Sequence, residues 1–163
     1  MTYSDFLLEP ASPLIDKLTR ETKSDCCRQE CVEMLNHFTL SYMISTGAVK
    51  VRAVLPPERI AFHKVRFFSK QKHITQVLPQ NLLEQSIMEK PVFPTDYKKA
   101  LALYKRARQD FDAYFRANPM AKSCHPYFGY LCYEEWVQFH ARHIRHHLVQ
   151  LSCLESLPGF YYE

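Results

Sequence analysis

The sequence predicts an all-α protein, a four-helix bundle with a long irregular connection between its second and third helices. Three observations point there. Only 3 of the 163 residues are glycine, whereas all-β folds use glycine at many of their turns. Apolar residues recur at three-four spacing through long segments, the period of an amphipathic helix. Near the end, half of the eight histidines fall between His140 and His147. On a helix, His140, His143 and His147 share one face, with Trp136 a turn earlier.

The totals are those of one soluble domain spanning residues 1–163. A chain of this length can bury a core without disulfides or a structural metal. Apolar residues make up 47% and charged residues 23%, ordinary for a globular protein. The net charge of +4 is mild and mixed along the chain, which neither demands nor excludes nucleic acid; nucleic acid is not among the expected partners. Six cysteines occur with no secretory signal in Met1 to Leu18, which implies reduced thiols in the cytoplasm. No run reaches the roughly 18 apolar residues that a membrane span needs.

The elements follow in order. Ser4 to Arg20, with Phe6, Leu7, Leu14, Ile15 and Leu18, reads as a short first helix that tolerates Pro13 in its first turn. Ser24 or Asp25 caps a second helix running to about Thr46 and stopping at Gly47. On it Glu30, Met34, His37, Ser41 and Ile44 share a face. Val49 to Pro94 is broken by five prolines and reads as a long excursion packed over the bundle, with a short helix at Arg59 to Phe68. Thr95 is expected to cap the third bundle helix. Its stripe is Tyr97, Leu101, Tyr104, Arg108, Phe111 and Phe115, and Asn118-Pro119 ends it. A loop containing His125-Pro126-Tyr127-Phe128-Gly129 leads to the last helix, about Tyr133 to Leu154. Glu134 and Glu135 suit the positive end of that helix, and Cys132 stands at the N-cap of a capping box with Glu135.

His143 and His147, at i and i+4, have the spacing by which one helix presents two imidazoles to a single transition metal. Two ligands make half a tetrahedral site, so a third must come from another helix. His37 is the best candidate, because it sits between Met34 and Phe38 on an apolar helix where an unpaired imidazole is costly. Three histidines leave a fourth position for water, as in catalytic rather than structural zinc sites. The alternative is a solvated histidine face with His37 as a hydrogen-bonded core residue.

The stretch His125-Pro126-Tyr127-Phe128-Gly129-Tyr130-Leu131-Cys132-Tyr133-Glu134-Glu135-Trp136, continued by His143-Ile144-Arg145-His146-His147-Leu148-Val149-Gln150, resembles the C-terminal signature of the DinB/YfiT-like superfamily. More narrowly, it is similar to a bacterial branch with an HP-F-FG loop, an EEW helix start and an H-x-x-HH-x-x-Q ending. Met34-Leu35-Asn36-His37 resembles that family's second-helix motif. The order of elements agrees over most of the chain, although only these two motifs are specific. The resemblance implies a four-helix bundle with a three-histidine site for zinc or nickel, its ligands falling on His37, His143 and His147. Arg145 stands where relatives often carry an acidic residue, and Cys132 replaces their usual Ser or Thr cap.

Other residues carry paired readings. His140 is either a fourth ligand or proton shuttle, or a packed histidine. His146 points away by roughly 100° from its neighbour and is expected to hydrogen-bond a surrounding helix or loop. Cys132 is either a low-pKa thiol at a helix start or a serine substitute. Cys26, Cys27 and Cys31 read as core packing. The basic stretch from Lys50 to His73, with Arg52, Arg59, Lys64, Arg66, Lys70 and Lys72 among Phe62, Phe67 and Phe68, reads as a solvated face over buried aromatics; tracking a phosphate backbone is the alternative. Tyr161 and Tyr162 pack on a neighbour or fray.

By resemblance, the expected function is metal-assisted nucleophilic transfer or hydrolysis on a small-molecule substrate, with a low-molecular-weight thiol as one choice. His140 and Glu30 are the candidates for general base. The rival class is a non-catalytic ligand-binding or stress-response module whose histidines are structural, and a third reading is a homodimer that acts only as a scaffold.

Overall fold

A computed structural model of the chain describes residues 25–69 and 80–150. The expected first helix, the end of the basic stretch (Lys70, Lys72, His73), Cys153, Tyr161, Tyr162 and the final turn to Leu154 lie outside the described residues. So do the side chains of Cys26 and Cys27. The described chain is mostly helical: α1 (Asp25–Ser45), α2 (Pro57–Phe68), α3 (Gln80–Ser86), α4 (Tyr97–Ala117), β1 (Ser123–His125), β2 (Gly129–Leu131) and α5 (Tyr133–Gln150). None of these helices is long and apolar enough to cross a membrane.

The core forms where α1 packs along α4 and, less extensively, against α5 and β1. From α1 it takes Leu35, Phe38 and Tyr42; from α4, Ala100, Tyr104, Ala107, Phe111 and Phe115; from α5, Trp136, Ile144 and Leu148. The α4 stripe departs from expectation at two places. Ala100 and Ala107 are buried, while Leu101 and Arg108 are only half-buried. Small side chains let two helix backbones approach closely, so alanines occupy the seam and longer residues flank it.

The helix ends follow local chemistry. Gly47 adopts φ 76°, and its N–H donates to the Ile44 carbonyl at 3.0 Å, closing α1 as a left-handed glycine does. Asn118 closes α4 by donating from both its backbone N–H and Nδ2 to the Tyr114 carbonyl. The cap of α4 is Asp96, not Thr95: Asp96 Oδ1 accepts from the Lys99 N–H at 3.0 Å. A capping oxygen must reach the N–H two or three residues ahead, and Thr95 lies one residue too early.

The described part of the long excursion is structured. Pro57 opens α2 at the first helical position, where its fixed φ is already helical. The chain before α2 pairs with the end of α3 through a bridge between Val51 and Ile87. Phe67 packs on Phe128 at 4.5 Å between ring centroids, and Arg142 of α5 donates to the Phe67 carbonyl in the last turn of α2.

The all-α expectation needs one correction. Residues expected as a plain loop form an antiparallel hairpin, with Ser123 opposite Leu131 and His125 opposite Gly129. His125 Nδ1 accepts from the N–H groups of Tyr127 (3.1 Å) and Phe128 (3.2 Å). Gly129 takes φ 67°, the left-handed residue that a three-residue hairpin loop requires. Strands of three residues carry too little periodicity to be read from the sequence.

α5 starts as expected. The Cys132 N–H donates to Glu135 Oε2 at 3.0 Å, the reciprocal half of a capping box. Glu135 also pairs with Lys64 Nζ at 2.9 Å, and Lys64 donates to the Tyr130 carbonyl, which fastens α2 to the hairpin.

Candidate metal centre

Three imidazoles meet where α1 crosses α5. His37 Nε2 lies 2.8 Å from His143 Nε2, and His147 Nε2 lies 3.2 Å from it. One ligand atom from each of the three rings falls within 4.8 Å of the others. The set His37, His143 and His147 is therefore brought together, as the helical spacing and the resemblance both led one to expect.

Local packing explains their position. On α1, Leu35 and Phe38 are buried and His37 lies at the margin of that face, half-buried. On α5, His140, Ile144 and Leu148 form the deeply buried row. His143 and His147, one helical turn apart, run beside that row at the edge of the core. Two margins meeting across a helix pair leave a polar seam with apolar walls. Phe38 lines it, with ring centroids 5.8 Å from His143 and 5.6 Å from His147.

The donor set fits a divalent metal. Ligands ~2.0–2.1 Å from a tetrahedral ion stand ~3.3 Å apart, close to the two shorter separations here. The nitrogens also conflict when nothing lies between them. His143 Nε2 has either one in-plane lone pair or one proton, yet it faces two other ring nitrogens, so direct hydrogen bonding leaves one contact unsatisfied. Charging the rings is no remedy. Burial lowers the pKa of His37, and burial together with the neighbouring His37 and His147 lowers that of His143 well below its ordinary value. His37 and His143 are thus held toward the neutral form that coordinates metals.

His140 is placed elsewhere. It is 1% exposed, stacked on Tyr42 at 4.1 Å and on Trp136 at 5.5 Å. Its Nε2 lies 3.2 Å from Ser45 Oγ. Ser45 donates its only hydroxyl proton to the Tyr42 carbonyl, so His140 Nε2 is the donor in this pair. Ser123 Oγ continues the network, donating to the Ser45 carbonyl and accepting from Trp136 Nε1. These bonds hold α1, β1 and α5 together around His140. Glu30 is exposed on α1, two turns before His37, and does not join the cluster. His146 Nε2 is buried without a hydrogen-bond partner among the described residues, so this nitrogen does not make the bond expected to a surrounding helix or loop.

Cys132 is no low-pKa thiol. Burial, aided by the Glu134 and Glu135 carboxylates, pushes its pKa up, and Sγ donates to Glu134 Oε2 at 3.2 Å. Cys31, Cys124 and Cys132 form no disulfide among the described residues, and Cys31 is buried as packing predicts. In the basic stretch, Lys50, Arg52, Arg59 and Arg66 are exposed and Phe67 and Phe68 pack against the core, whereas Phe62, expected among the buried aromatics, is exposed.

Sequence reasoning missed the surroundings of the triad. Phe139 stacks on His143 with centroids 5.1 Å apart and planes at 25°. Its position, four residues before His143, was the available signal, because i and i+4 side chains meet on a helix. No family model matches the chain, and neither a curated protein nor a solved structure matches it.

Proposed function

We propose that this chain is a divalent-metal-binding protein of the DinB/YfiT-like type, a four-helix bundle that holds zinc or nickel on His37, His143 and His147 in the cytoplasm. The observation that carries the proposal is the convergence of three half-buried imidazoles on one point. Three protein ligands leave a coordination position free, the arrangement of catalytic sites. A metal bound there supplies Lewis acidity, which brings the pKa of a water or a low-molecular-weight thiol toward neutrality.

The reaction class this supports is nucleophilic transfer or hydrolysis on a small-molecule substrate. The residues contribute in separable ways. His37, His143 and His147 bind and orient from two helices, so the site exists only when α1 and α5 are docked. Phe38 closes one wall against water. His140 maintains the docking through Ser45, which makes it a structural rather than a reacting group in this reading.

The test is metal analysis of protein purified without an affinity tag, compared with His37→Ala and His143→Ala. Near-stoichiometric zinc or nickel in the parent, lost in both variants, is the expected result. Substoichiometric metal that neither substitution changes would refute the proposal.

A further inference from the structure

We infer that, within the metal-site reading, His143 is oriented by the aromatic walls Phe139 and Phe38 in place of a hydrogen-bonded acceptor, which makes Phe139 a positioning residue of the centre. When Nε2 of a histidine coordinates, its proton sits on Nδ1, and metal-bound histidines almost always donate that N–H to a carboxylate, a carbonyl or water. That acceptor fixes both the tautomer and the rotation of the ring. No protein group among the described residues fills that role for His143: its Nδ1 is buried and makes no hydrogen bond to any of them. Something else must stop the ring from turning about its Cβ–Cγ bond.

The neighbours supply it by shape. Phe139 lies nearly parallel to the His143 ring, 5.1 Å away with planes at 25°. Phe38 meets the same ring edge-on, with an interplanar angle of 78°. Both walls are themselves immobilised. Phe38 is 1% and Phe139 8% exposed, and Phe139 is packed by Trp136, His125 and Phe67. A half-turn of the His143 imidazole would sweep through these rings, so Nε2 stays aimed at the seam without an acceptor behind Nδ1. The arrangement differs from the usual one in a measurable way, because orientation depends on a flat side chain at position 139.

The experiment is titration of the untagged parent, Phe139→Leu, the milder Phe139→Met and the control Phe111→Leu with cobalt(II), reading the ligand-field absorption. Phe111 is a core residue against His140 and stands for general loosening. Loss of an outer partner of a metal ligand typically weakens binding about 10–100-fold. Cobalt affinity about 10-fold lower in both Phe139 variants, with an altered spectrum, is expected, and neither change in Phe111→Leu. Unchanged affinity and spectrum in the Phe139 variants, or equal losses in Phe111→Leu, would overturn the positioning role. A parent that gives no cobalt spectrum overturns the metal reading itself, so the two failures are distinct. A measurement on the zinc-loaded parent alone needs no variant: imidazole 15N-correlated NMR should show His143 Nδ1–H without the downfield proton shift of a hydrogen bond, and a strongly downfield signal would overturn the inference.

Discussion

Acidification from pH 7.5 to pH 5 should destabilise the metal-free protein, with His125 contributing about 2 kcal/mol of the loss. The ring is 3% exposed, and burial pulls its pKa down from 6.5 to about 3. Geometry agrees, because Nδ1 accepts from two backbone N–H groups; a proton there would set three donors against one another. The unfolded chain takes up this proton as pH falls through 6.5, whereas the folded chain refuses it until about pH 3. The contribution is therefore complete above pH 6.5 and declines through the window from 6.5 to 3. One and a half units of that window, at about 1.4 kcal/mol per unit, give the stated figure. The assay is urea denaturation with a chelator present at both pH values, comparing the parent with His125→Asn. Asparagine offers Oδ1 near the place of Nδ1 and can still accept from the turn, but it does not titrate. The variant should be less stable than the parent at pH 7.5, through lost ring packing, while its drop between the two pH values is smaller by about 2 kcal/mol. Other buried histidines titrate in both proteins and cancel in the comparison. Equal drops would refute the assignment.

Gly129→Ala should destabilise more than Gly47→Ala in thermal or urea unfolding. Both force a side chain into left-handed backbone at about 1–2 kcal/mol, but only at Gly129 does the new Cβ stand 3.0 Å from Ile60 Cγ2, whereas at Gly47 it meets nothing within 4 Å. His140→Leu should leave metal stoichiometry unchanged while lowering stability by about 1–3 kcal/mol, because the Ser45 hydroxyl loses its buried partner. Loss of metal in that variant without loss of stability would return His140 to the ligand set.

Local chemistry made much of the helical frame legible. Gly47 and Asn118 mark stops because a left-handed glycine and an amide cap act on the turn they terminate. Glu135 marks a start because its carboxylate reaches back only three residues. The hairpin escaped because its decisive contacts come from one imidazole to two N–H groups, a pattern that no apolar period announces. Thr95 reads as the cap of α4 because Thr and Asp are both favoured caps, and only the backbone geometry separates neighbouring positions.

The candidate site divides along the same line. Sequence by itself determined that His143 and His147 share a helical face, since spacing of four residues fixes that wherever the helix lies. It also marked His37 as an imidazole on an apolar helix. Only the tertiary structure decided that these two places meet, 106 residues apart in the chain, and that Nε2 is the atom each ring presents. It likewise decided that His140 faces Ser45 and the core while His143, three residues on, faces the seam. The reason is angular. Periodicity tells which residues point the same way to within some tens of degrees, and that width spans both the buried centre of a helix face and its margin. Which histidine is sealed in and which can hold a metal depends on the neighbouring helix that covers the face, and a single strand of sequence does not contain that neighbour's position.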